Sequence, residues 1–107
     1  MSLGDVGFDT ECTPNFWCAG FRPVLAPPTH GYIFEISERR NDALSLYQFL
    51  AHCGRLIGFN NLLYDWPMVS HLLKLLAAGI TPTAEHMWRK NEEIFSTPWN
   101  DRWSHIV

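Results

Sequence analysis

The sequence predicts an α/β fold: a mixed β-sheet with flanking helices packed on it. Two observations predict it. Three apolar runs rich in aromatic residues follow one another near the N-terminus with short breaks between them, the pattern of an antiparallel meander. From about Asn41 the apolar spacing becomes helical and alternates with one further short apolar run. A meander followed by such alternation builds a sheet with helices stacked against it. The expected order is β-β-β-α-β-α-α, in one domain over residues 1–107 with no internal linker.

Val6-Gly7-Phe8 reads as a short strand that ends in the acids Asp9 and Glu11. Thr13-Pro14-Asn15 is a turn. Residues 16–21 supply the second strand, and three prolines make 22–30 a loop. Tyr32, Ile33, Phe34 and Ile36 form the third strand, over 31–36. Asn41 or Asp42 caps a helix in which Leu46, Phe49, Leu50 and Cys53 recur at helical spacing, and Gly54 stops it. Residues 55–59, with Leu56, Ile57 and Phe59, read as a short buried strand. An Asn60-Asn61 turn then leads into a helix from about Asp65 to Ala78, with the stripe Val69, Leu72, Leu73 and Leu76. Pro67 is tolerated in a first turn, and Gly79 with Pro82 marks the end. Thr81 or Thr83 caps a last helix through Met87, Trp88, Asn91, Ile94 and Phe95, which Pro98 ends. Ser104-His105-Ile106-Val107 reads as a strand beginning, so the chain is expected to be an N-terminal portion of a longer domain.

Hydrophobic residues make up 47% and charged residues 18%, a balance that favours folding over disorder. The formal net charge of −3 gives no overall basic field for nucleic acid, although a carboxylate cluster is acidic until a divalent cation neutralises it. The three cysteines, Cys12, Cys18 and Cys53, show no CxxC spacing, and no secretory signal precedes them. That points to a reducing cytoplasm. The apolar stretch 72–80 is too short to span a membrane. No two histidines fall at short ligand spacing, and a zinc site built from His52, Cys53, Cys12 and Cys18 has no standard spacing behind it. Arg39-Arg40 and Arg89-Lys90 read as solvated helix ends, with contact to a phosphate as the alternative.

The chemistry rests on three acids. In a strand, residues two apart share a face, so Asp9 and Glu11 would point the same way and repel unless a cation sits between them. Magnesium takes oxygen ligands and keeps several waters, so a few carboxylates with a substrate phosphate suffice. Two such ions about 3.5–4 Å apart can hold both oxygens of an in-line displacement. Asp65 follows Asn60, Asn61 and Tyr64 after the apolar run 56–59. Taken singly, Asp9 and Glu11 also read as solvated acids at a turn, and Asp65 as a helix cap or dipole partner.

Taken together, Phe8-Asp9-Thr10-Glu11 and Gly58-Phe59-Asn60-Asn61-Leu62-Leu63-Tyr64-Asp65 resemble the first two motifs of the DEDD (DnaQ-like) 3′–5′ exonucleases. The wording is most similar to exonuclease domains of phage DNA polymerases. The resemblance covers residues 6–76 and implies an RNase H-like fold and a two-metal Mg²⁺ or Mn²⁺ site. By that resemblance Asp9 would bridge both ions, Glu11 would bind the ion that activates water, and Asp65 would help hold the other. Asn61 and Tyr64 would shape the site around the terminal nucleotide of a single-stranded DNA 3′ end. Thr10 and Cys12 would offer it backbone N–H groups. Phe16 or Phe59 would either stack on a base, worth about 1–3 kcal/mol, or pack in the core. A polymerase domain or a C-terminal half would be the natural partner.

The family's third motif, Tyr-x-x-x-Asp or His-x-x-x-x-Asp, has no match. Thr97 and Ser96 stand where Tyr or His would precede Asp101. With three acids and no general base, weak or absent hydrolysis is expected from this chain alone. A non-catalytic module that binds a 3′ end or a protein partner is the reading from another class.

Overall fold

A computed structural model of the chain describes residues 2–27, 30–58 and 61–105, with the backbone alone at 61 and 62. The elements are β1 (Val6–Thr13), β2 (Phe16–Pro23), β3 (Tyr32–Ser37), α1 (Ala43–Leu50), β4 (Leu56–Ile57), a π turn (Asn61–Asp65), α2 (Trp66–Ala77), α3 (Ala84–Ser96) and a 3₁₀ helix (Trp99–His105). The four strands lie in the order β3-β2-β1-β4. The meander β1-β2-β3 is antiparallel, and β4 joins β1 in parallel. The expected mixed sheet with flanking helices is therefore present.

The strand expected over 6–8 is longer. It continues through both acids to Thr13, because the alternation that drives it does not stop at Phe8. Phe8, Thr10 and Cys12 all turn inward, opposite Phe21, Ala19 and Trp17 of β2. Asp9 and Glu11 thus lie within a paired strand and not at its end. Among the described residues the fourth strand, expected over 55–59, pairs Leu56 and Ile57 with Val6 and Gly7, and Phe59 lies outside them.

The core lies between the inner face of the sheet and all three helices. Val6, Phe8, Trp17, Ala19, Phe21 and Ile36 from the strands meet Leu46 of α1, Met68, Val69 and Leu72 of α2, and Met87 and Ile94 of α3. Phe8 stacks on Phe21 at 5.5 Å, and Phe49 of α1 closes over Phe21, Phe34 and Tyr32. The outer face carries no helix among the described residues, and Asp9, Glu11, Arg22 and Ile33 are exposed there.

Local chemistry sets the element ends. Asn41 Oδ1 accepts the Ala43 N–H at 3.2 Å and so begins α1. Asp42 turns back instead: its carboxylate accepts the Glu35 N–H at 2.9 Å, and its own N–H donates to Glu35 O at 2.9 Å. That reciprocal pair closes part of the free edge of β3, which would otherwise invite strand pairing. Thr83, not Thr81, caps α3. Its hydroxyl accepts from the His86 N–H at 3.2 Å while its N–H donates to His86 Nδ1 at 3.0 Å. Gly79, at φ 76°, reverses the chain after α2.

Trp99–His105 is a 3₁₀ helix, so Ser104 and His105 of the expected strand are helical. Arg102 holds it there: its guanidinium lies over the Phe95 and Trp99 rings at 5.2 and 5.1 Å, and its Nε–H donates to Thr97 O at 3.1 Å. Ile106 and Val107 lie outside the described residues. No helix among the described residues is long and apolar enough to cross a membrane.

Candidate carboxylate site

Backbone direction defines the site. The Val6 N–H donates to Arg55 O at 2.8 Å, toward β4. Strand alternation then points the N–H groups of Thr10 and Cys12 the same way. Among the described residues β4 pairs with β1 no further than Ile57, opposite Gly7, and the Asn61–Asp65 turn lies against β1 beyond it. The Thr10 N–H is met there by Asp9 Oδ1 at 3.0 Å. These are the two groups expected to face a 3′ end, and among the described residues no strand pairs with them on that flank.

Side chains divide between the two faces. Asp9 and Glu11 stand on the outer face, opposite Gly20 and Cys18, and neither forms an ion pair among the described residues. Thr10 points inward and is buried. Its hydroxyl donates to Asp65 Oδ1 at 2.6 Å, tying together residues 55 positions apart. Asp65 itself is only 3% exposed. Burial is the main cause that lifts its carboxyl above the ordinary carboxylate range; the nearby charges of Asp9 and Glu11 lift it further, and the Thr10 bond pulls the other way. Asp65 occupies the cap position of α2 yet caps nothing, since its side chain bonds no N–H of that helix. The cap reading of Asp65 is therefore not what this side chain does.

The backbone over Asn61–Asp65 takes a π turn, and Pro67, which lacks an N–H, follows in the first turn of α2. Such turns are rare and recur at functional sites. Here the turn delivers Tyr64 and Asp65 to the side of β1.

Tyr64 is fixed from below. Its hydroxyl donates to Asn91 Oδ1 at 2.6 Å, and its ring packs on Phe95 at 5.3 Å. Burial, with the charges of Cys12, Asp65 and Glu11 behind it, makes the phenol harder to ionise. Asn91, the partner in α3, is buried. Sequence reasoning placed it on the helix stripe without a role; a polar residue on an apolar stripe was the available signal. Cys12 is half-buried, and its thiol is pushed up to about 11 by burial first, then by Cys18 and Glu92. It is an inert side chain, so any part it plays falls to its N–H. Phe16 lies outside the core cluster, half-buried on the outer face beside the hairpin turn. Phe59, Asn60 and the Asn61 side chain lie outside the described residues.

Asp9 and Glu11, unpaired and on one face, fit a single hydrated Mg²⁺ or Mn²⁺, which needs one or two carboxylates plus substrate phosphate. Among the described residues no three Asp, Glu, His or Cys side chains are grouped so as to hold a metal ion. Asp65, turned to Thr10 on the inner side of β1, does not join the other two in this form of the site. The Thr10 hydroxyl takes up Asp65 Oδ1 alone, and the carboxylate has a second oxygen.

No family model, no curated protein and no solved structure matches this chain.

Proposed function

We propose that the chain carries the first two motifs of a metal-dependent 3′–5′ exonuclease of the DEDD type, acting on single-stranded DNA within an RNase H-like, phage-type domain in the cytoplasm. The observation that carries this reading is the 2.6 Å link from Thr10 to Asp65. It sets the second motif against the first, with Asp9 and Glu11 close enough to raise the proton affinity of Asp65. The strand succession and the parallel placement of β4 beside β1 support the fold reading.

In this reading Asp9 and Glu11 would hold the cation, with Asp65 as the third acid beside them. The N–H groups of Thr10 and Cys12 would orient the terminal nucleotide, that of Thr10 once Asp9 Oδ1 turns from it to the cation, and Tyr64 keeps Asp65 in place. The bound Mg²⁺ or Mn²⁺ supplies charge neutralisation and an activated water.

Among the described residues no three candidate ligands are grouped to hold a metal ion, which favours a second reading, a module on the same fold that binds a 3′ end or a protein partner without cutting it. One assay separates them. Single-stranded DNA labelled at its 3′ end is incubated with the chain and Mg²⁺ or Mn²⁺. Metal-dependent release of nucleoside monophosphate, abolished by Asp9→Ala, supports the enzyme. DNA retained without release supports the module.

A further inference from the structure

We propose that the open outer face of the sheet contains a nucleotide-binding basin beside Asp9, floored by Gly7 and Gly20, with Arg22 as the phosphate partner. The basin is a shallow depression open to solvent, of about 680 Å³, lined by Gly7, Asp9, Gly20, Arg22, Ile33 and Ile57, among others. That volume suits a drug-sized ligand.

The two glycines are the telling feature. Glycine inside a strand is worth about 0.5–1 kcal/mol less than alanine, so it needs a reason. Backbone conformation is not the reason, because the positive-φ glycines are Gly4 and Gly79. Packing is not the reason either. A Cβ on Gly20 would meet nothing within 4 Å, and one on Gly7 would meet only Arg22 O at 3.7 Å and Ile57 O at 3.8 Å, ordinary contacts. What glycine does at both positions is leave bare peptide planes, and strand glycines recur where a ligand approaches the backbone closely.

The surroundings select the ligand. The register Gly7↔Arg22 and Asp9↔Gly20 makes each glycine the direct neighbour of a charge, with Arg22 and Asp9 on the diagonal. Among the described residues Arg22 forms no ion pair, so its guanidinium is free to meet an anion. Ile33 and Ile57 are 66% and 42% exposed and form apolar walls. A flat floor between aliphatic walls takes a planar ring, and a cation at one corner takes the phosphate attached to it. A nucleoside monophosphate has both parts. This choice of ligand rests on the exonuclease reading, whose product is such a nucleotide; the basin's shape does not.

The test is titration of the full chain with thymidine 5′-monophosphate in EDTA, followed by amide shifts of Gly7, Gly20 and Ile33. Binding is expected there, weakened at least tenfold by Gly20→Val, with an unchanged or raised melting temperature because the added side chain enters open space. Arg22→Gln should weaken binding by a similar factor. Absence of shifts, or unchanged affinity in Gly20→Val, overturns the basin. So does a chain that dimerises through this face, loses the dimer in Gly20→Val and ignores nucleotide. Because metal is withheld, failure here leaves the Asp9→Ala nuclease assay to stand or fall alone.

Discussion

Thr10→Val removes one hydroxyl and leaves the rest of the strand intact, since valine matches threonine in shape and favours β structure. The hydroxyl is the one hydrogen-bond donor described for a carboxylate that is 3% exposed. Hydrogen bonds to charged groups contribute roughly 1.5–3 kcal/mol, and loss of one partner leaves the buried group unsatisfied. For a chain of this length that is a fall in Tm of about 4 °C per kcal/mol. The pH dependence is specific. Asp65 has a folded-state pKa above its ordinary value of 3.8, so the folded state prefers its neutral form. The associated stability is complete below pH 3.8 and is lost as pH rises through the raised folded value. Thr10 offsets part of that loss. Urea unfolding of Thr10→Val should therefore show its full deficit at pH 7 and a smaller one, about 1 kcal/mol, once Asp65 is protonated. A deficit below about 0.5 kcal/mol at pH 7, outside the range for such a bond, or one equal at both pH values, refutes the reasoning.

The same logic makes Asp65→Asn neutral or stabilising at pH 7, because it removes a buried charge and keeps an acceptor for Thr10; thermal unfolding measures this, and marked destabilisation would assign Asp65 a structural role. Tyr64→Phe leaves Asn91 Oδ1 without the hydroxyl that reaches it at 2.6 Å, and should cost about 1–2 kcal/mol in chemical unfolding. Glu35 accepts from Arg39 Nε and Nη2 at 2.8 and 2.9 Å and from Ser37 Oγ at 2.6 Å, which hold its carboxyl down to about 2 from 4.5. Its contribution is present above pH 4.5 and lost as pH falls through about 2. Glu35→Gln should flatten that part of the acid limb of the stability curve, and an unchanged limb would contradict the pairing.

The fold was legible where periodicity was clean. Phe16 to Phe21, Tyr32 to Ile36 and the Val69-Leu72 stripe sit where alternation and helical spacing put them. The first strand was misjudged because two carboxylates interrupt its outer face; Phe8, Thr10 and Cys12, the inward set, carried the signal and only two of the three are apolar. Of the strand expected over 104–107, Ser104 and His105 belong to a 3₁₀ helix that Arg102 ties to Phe95 and Trp99, and contacts between side chains on separate elements leave no periodic trace. At the candidate site, the sequence placed Asp9 and Glu11 on one face, as found. It could not show that Asp65 would be taken by Thr10, because that bond depends on how the π turn docks on β1. Asn91 was out of reach for the same reason, since its partner lies 27 residues earlier.

Cation uptake at Asp9 and Glu11, with Asp65 drawn in, is the claim on which the rest depends, and Mn²⁺ titration followed by paramagnetic broadening of backbone amides addresses it directly. The account predicts that resonances of β1 around Asp9 and Glu11, with those of Asp65, broaden first, and that Asp9→Asn abolishes the effect. Broadening confined to other acids such as Glu85 or Glu93, or none at millimolar Mn²⁺, would contradict it.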